Sequence, residues 1–376
     1  MPTVEQVMEV LATVEDPEIH KPITELGMVD EVVIDGGTVG VRIKLTIPGC
    51  PLKDRITSDV TGAVQTLDGV DDVQVHFGSM TDDERKNLSS SLRTQAGSAN
   101  PGLEIPFAGA DSQTRVIAVA SGKGGVGKSS VTVNLAASLA KQGYSVGVLD
   151  ADIWGYSIPR MMGVDGKPVA FEGMVMPLQA HGCKVISIGF FTDPDRSVLW
   201  RGPMLHRALQ QFLGDVYWGE LDFLLCDLPP GTGDIAISLA QMLPDADMLV
   251  VTTPQQAAQK VAERAGKATE QTGMKVTGVI ENMAVFTCPD CGSDHDLFGS
   301  GGGEELAEAL GTDLLERIPI DVRLREGSDE GTPLIVGHPD APASKIIEGI
   351  ARTLGERKEA ETPSGIVGRK LPLSVG

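Results

Sequence analysis

Basic residues are in short supply: 31 Lys and Arg stand against 52 Asp and Glu, for a formal net charge of -21 and a pI near 4.6. Neutralising a phosphate backbone takes a basic face, so a nucleic-acid partner is disfavoured. Long uncharged apolar runs are also missing, and Met1-Pro2-Thr3-Val4-Glu5 is acidic with no apolar core. Neither a membrane span nor a signal peptide is expected, and the expected location is the cytoplasm. Cysteine occurs only five times. In a reducing compartment such residues are expected as thiols or metal ligands, not disulfides. What is present is ordinary globular composition, 41% apolar over 376 residues, enough for two or three domains.

The chain is organised around Ser121-Gly122-Lys123-Gly124-Gly125-Val126-Gly127-Lys128-Ser129-Ser130. Ahead of it, Val116 to Ala120 is a short apolar run of the kind that forms a doubly buried strand. Behind it, Val133, Leu135, Ala136, Leu139 and Ala140 recur at helical spacing until Gly143. Gly122, Gly127, Lys128 and Ser129 fit G-x-x-x-x-G-K-[ST], in which backbone amides and a helix N-terminus wrap the phosphates of ATP. Lys128 is expected at the β- and γ-phosphates and Ser129 at Mg2+.

Lys123 followed by Gly124-Gly125 resembles the deviant phosphate loop of the family that includes the septum-site ATPase MinD, the chromosome-partition ATPases and the nitrogenase iron protein. The resemblance implies a homodimer in which Lys123 reaches the partner's nucleotide. A solvated lysine on an exposed loop is the alternative reading.

Strands and helices alternate beyond this loop, which predicts an α/β fold with a doubly wound, mostly parallel sheet over 114–355. Ligands in such sheets bind at the carboxyl ends of the strands, where Asp150 and Asp152 follow one apolar strand and Asp227 another. Asp227 is expected near Mg2+, and the Gly231 amide at the γ-phosphate. The family resemblance makes Asp152 the residue that orients water and places Asp150 in the magnesium environment. It also implies that Asn282 reads adenine, with Ile318 to Asp321 and Arg323 passing over the base. Cys226 reads as core packing.

Residues 1–88 predict a small α+β domain: a helix from Val4 to Val14, a hairpin about Asp35-Gly36-Gly37, a helix near Asp54 to Leu67 and a strand at Val73 to Val75. Asp16-Pro17-Glu18, Leu26 to Val29 and Gly49-Cys50-Pro51 resemble the small domain of metal-sulfur cluster assembly factors. Residues 89–113 are small and polar and predict a flexible linker, and 356–376 a frayed tail.

Cys288-Pro289-Asp290-Cys291, followed by Leu297-Phe298-Gly299, brings the resemblance closer. With the second lysine and Asp227 to Asp234 it is the pattern of the Mrp/ApbC iron-sulfur cluster carriers, over about Thr114 to Leu354. One Cys-x-x-Cys supplies two of the roughly four ligands that a cluster or structural zinc requires. A second chain could add the missing pair, so that two copies share a [4Fe-4S] cluster at Cys288 and Cys291. A zinc knuckle closed within the chain by His295 and either Asp294 or Cys183 is the alternative. The resemblance thus implies an ATP-hydrolysing carrier that passes its cluster to apo iron-sulfur proteins and works with cluster assembly factors. Two rivals are a partition or positioning ATPase acting through a protein, DNA or membrane partner, and a nitrogenase-like reductase.

Overall fold

Near the N-terminus, Thr3 and Gln6 cap each other across the first turn of α1 (Val4–Leu11), which buries Val7 and Leu11. The helix stops at Leu11, short of the expected Val14, where Thr13 donates its hydroxyl to the Val10 carbonyl. The expected hairpin forms from β1 (Val29–Asp35) and β2 (Thr38–Leu45), turning at Gly36 with φ 59°. Period-two burial of Val39, Val41, Ile43 and Leu45 faces α2 (Lys53–Val64), whose Ile56, Val60 and Val64 recur at helical spacing. β3 (Asp72–Ser79) then pairs parallel to β2.

The computed structural model describes residues 2–17, 19, 21–46, 53–95, 105–109, 112–153, 155–191, 202–231, 234–255 and 274–361. Cys50 and its turn, the helix expected through Gln256 to Gln271, and the tail from 362 lie outside the described residues.

Flexibility from residue 89 does not hold, because α3 (Asp82–Gln95) continues through that point. Thr81 and Glu84 cap it reciprocally, three carboxylates occupy its first turn, and Leu92 and Ser89 are buried. A mostly polar stretch thus supplies a helix through a few well-spaced leucines.

After α3 the chain continues through β4 (Arg115–Ser121), α4 (Lys128–Lys141), β5 (Val146–Asp150) and α5 (Ile158–Met161). A hairpin of β6 (Val169–Phe171) and β7 (Met174–Met176) comes next, then β8 (Leu178–Ala180), β9 (Cys183–Ser187) and α6 (Gly202–Gly214). β10 (Phe223–Asp227), α7 (Asp234–Met242), β11 (Asp247–Thr252), β12 (Lys275–Asn282), β13 (Phe286–Thr287), β14 (Asp294–His295) and β15 (Leu314–Ile318) follow. The main sheet has the order β15-β12-β11-β4-β10-β5-β9-β8, parallel except for β8 against β9. This is the expected doubly wound sheet, with α4 buried beside its central strands.

Packing divides the chain discontinuously. The first unit takes Met1–Pro101 together with Pro168–Pro177 and Asp215–Gly219. Phe171, Met174, Met176 and Tyr217 lie in its apolar core beside Leu11, Ile43 and Leu92, although all four fall within 114–355. The continuous boundaries expected from composition therefore fail here, because an apolar hairpin has no marker saying which core it will enter. At the other end, the helix Pro342–Glu361 passes the expected boundary at 355. Ile347, Ile350 and Leu354 bury one side of it, and Arg357 and Lys358 bond to the Thr277 carbonyl and to Asp222.

Candidate functional site

β4 delivers the phosphate loop to the carboxyl edge of the sheet, and α4 starts at Lys128. Gly125 and Gly127 both adopt φ 80°, which only glycine takes without strain. A Cβ on Gly127 would also overlap Asn282 Nδ2. That amide, at the end of β12, donates to the Val126 carbonyl at 2.9 Å. Asn282, expected at an adenine edge, thus clamps the loop itself in this structure.

Beneath the loop lies the fully buried Asp227, the last residue of β10. One carboxylate oxygen accepts from Lys128 Nζ and from Ser129 Oγ, each at 2.6 Å, and the other accepts from Thr132 Oγ1 at 2.8 Å. Thr132 escaped the sequence reading, although it lies four residues after Lys128 and so on the same helix face. The Ser129 hydroxyl and the Asp227 carboxylate are hard oxygen donors on one spot, a set that fits Mg2+.

Asp150, at the end of β5 in register with Asp227, is equally buried. Its oxygens accept from the Asp152 amide, the Ser187 hydroxyl and the Ile158 amide. Burial first, and the Asp227 charge second, push its carboxyl up to about 7. An unfolded aspartate titrates near ~3.9. Between those values the folded chain holds a proton that the unfolded chain has released, so this group's contribution to stability falls as pH rises through the window. Asp150→Asn should abolish that contribution. In melts of the nucleotide-free protein, the stability of the variant relative to wild type is expected to rise from pH 4 to pH 7. Parallel profiles would refute it.

Asp152 is buried and accepts from the Gly155 amide at 3.0 Å. The Gly231 amide, expected at a γ-phosphate, donates to the Ser121 carbonyl at 2.8 Å, so contact with phosphate would require that bond to open. Lys123 Nζ donates to Gln255 Oε1 at 2.6 Å, a partner that no local pattern announces. Arg323 forms a forked pair with Asp321, at 2.9 and 2.7 Å, and holds that carboxyl below its ordinary range.

Cys288 and Cys291 sit at the tip of the β13–β14 hairpin. The Cys288 amide donates to the Ser293 carbonyl, and the Gly292 amide to the Cys288 carbonyl, both at 2.9 Å. Cys291 is exposed and Cys288 partly so. Hydrogen bonds from Ser293 and Cys288 lower the Cys291 thiol, which favours the thiolate that binds metals. Cys183 is instead buried at the start of β9, and burial pushes it up to about 12. Cys226 is fully buried and raised for the same reason, as expected of a packing residue. Among the described residues no three His, Cys, Asp or Glu side chains gather in an arrangement that could hold a metal ion.

Residues 112–355 match the family model described as NUBPL iron-transfer P-loop NTPase. The chain belongs to this family. Residues 4–77 match a second model, iron-sulfur cluster assembly protein. An iron-sulfur cluster carrier protein of Mycobacterium bovis is 53% identical over 96% of this chain and 94% of its own length. Among solved structures, a nucleotide-binding protein of Archaeoglobus fulgidus in complex with ADP is 43% identical, covering 58% of this chain and 87% of that one at a TM-score of 0.52. MinD of Pyrococcus horikoshii, complexed with Mg-ADP, shares the fold at 22% identity, covering 66% of this chain and 99% of that one at a TM-score of 0.50. The phosphate loop and the hairpin thiols, Cys291 exposed and Cys288 partly so, lie in one unit.

Proposed function

We propose that the protein is an ATP-hydrolysing iron-sulfur cluster carrier of the cytoplasm: a homodimer that holds a [4Fe-4S] cluster between the Cys288 and Cys291 pairs of two copies and hands it to apo iron-sulfur proteins. The observation that carries this reading is the hairpin tip, which offers one exposed and one partly exposed thiol and, among the described residues, no assembled group of three metal ligands. A four-thiolate cluster then needs a second chain. The same unit bears the phosphate loop, so one body would join nucleotide and cargo. A partition-type role through DNA is disfavoured by the charge of -21, and no helix among the described residues is long and apolar enough to cross a membrane.

In this reading the amides of residues 122–130 hold the phosphates, and Lys128 leaves Asp227 to compensate the charge on the β- and γ-oxygens. Ser129 and Asp227 would hold Mg2+, which supplies charge neutralisation at the transferring phosphoryl group. Asp152 orients the attacking water, Asn282 meets the adenine once its amide leaves the Val126 carbonyl, and Gly231 senses the γ-phosphate once its amide leaves the Ser121 carbonyl. Anaerobic reconstitution with iron and sulfide counted per chain tests the cargo. One four-iron cluster per two chains is expected, and one colourless zinc per chain would overturn the reading.

Lys123 tests the dimer. Lys123→Ala should keep ATP binding yet turn over slowly, and mixing it with Lys128→Ala should raise activity above either variant alone. In the mixed dimer one nucleotide site retains Lys128 in its own chain and Lys123 from the partner. Full activity of Lys123→Ala, with mixtures that follow the content of intact chains, would remove the lysine from any role across the interface.

A further inference from the structure

Lys123 is held at both ends. Its carbonyl accepts from the Ser121 hydroxyl at 3.1 Å, and its ammonium donates to Gln255 at 2.6 Å. Gln255 follows the end of β11 at Thr252. The backbone just before it packs closely on Gly302, where a Cβ would stand 2.5 Å from the Pro254 carbonyl oxygen. The acceptor is thus presented just past the end of a sheet strand to a lysine 132 residues away in sequence. The ammonium has two further N–H donors, but while it holds this bond it is turned toward its own chain, so the Gln255 contact competes with any reach toward another molecule.

From this we infer that Gln255 is a latch on dimer formation: it holds Lys123 within its own chain until a second copy with bound nucleotide draws the lysine across. The inference rests on the reading of Lys123 as acting in trans. A neutral amide suits the task physically. Its oxygen gives a charge-assisted hydrogen bond strong enough to order the side chain, without the full charge of a carboxylate that would compete with phosphate oxygens. The latch then acts as a competing state of each free chain, and because both chains must be unlatched it multiplies the apparent dimer association constant by the square of the unlatched fraction.

The experiment is ATPase activity of the full chain against protein concentration, from nanomolar to tens of micromolar, for wild type, Gln255→Leu and Gln255→Glu. Removing the acceptor should lower the half-maximal concentration by about ten- to a hundredfold, since each of the two chains sheds a hydrogen bond with a net worth of about three- to tenfold. Gln255→Glu should raise that midpoint. Both should leave the plateau rate and the ADP affinity unchanged, since the latch is open in the dimer and does not touch nucleotide. Midpoints that shift in the same direction, or do not move, overturn the inference. A merely structural Gln255 would give the first of these, with both variants losing ADP affinity or plateau rate. If Lys123→Ala is itself fully active, the trans reading has failed. If that variant is slow while the Gln255 variants match wild type, only the latch has failed.

Discussion

Lys128→Ala is expected to bring ATP hydrolysis down to background, a loss of at least about a hundredfold, on the scale of removing one preorganised charge from a phosphoryl-transfer site. Nothing else in the loop can replace it, because Ser129 and Ser130 are neutral and Lys123 points to Gln255. The same substitution leaves the buried Asp227 with only the Ser129 and Thr132 hydroxyls. Removing one member of a buried ion pair typically costs ~3–5 kcal/mol, and the two hydroxyls should hold the loss toward the lower end. A lowered unfolding midpoint should therefore accompany the lost turnover. Turnover is read by phosphate release on protein shown by circular dichroism to be folded. Wild-type turnover in folded Lys128→Ala would sink the phosphate-loop assignment.

The second large effect is expected at the hairpin tip. Cys291→Ala leaves one local thiol per chain, so two chains together offer two where a [4Fe-4S] cluster requires about four ligands. Loss of the cluster and of its transfer to an apo acceptor should be nearly complete. ADP binding should survive, because the loop clamp formed by Asn282 and Val126 does not involve the hairpin. Since Cys291 is exposed and packs against no core, the variant should fold normally. Visible absorbance after anaerobic reconstitution, with iron counted per chain, reads the outcome. A full cluster on Cys291→Ala, or one cluster in wild type shown by light scattering to be monomeric, would defeat the shared-site proposal. Cys50→Ala should leave this site loaded.

Reading the chain residue by residue located the strand ends well. Asp150 and Asp227 were legible because a short apolar run followed by a carboxylate describes a buried strand and the edge where it emerges. The extent of the elements was less legible. Ser89, Ser90 and Ser91 look like linker, yet α3 carries them, because a helix anchored by a cap and a few apolar contacts can otherwise be polar. The hairpin containing Phe171, Met174 and Met176 looked like part of the nucleotide-binding unit only because of its place in the chain.

The amino-acid order alone determined the phosphate loop, its strand and helix, and the thiol pair at 288 and 291, because each depends on spacings of a few residues that covalent geometry fixes. Tertiary structure decided which distant groups complete them. Gln255 meets Lys123 across 132 residues, Asn282 meets Val126 across 156, and Asp227 meets Lys128 across 99. These meetings follow from the sheet order, which sets β11 and β10 on either side of β4 with β12 beyond β11. Strand order is a global outcome of which apolar faces bury one another, and no short window of sequence contains it.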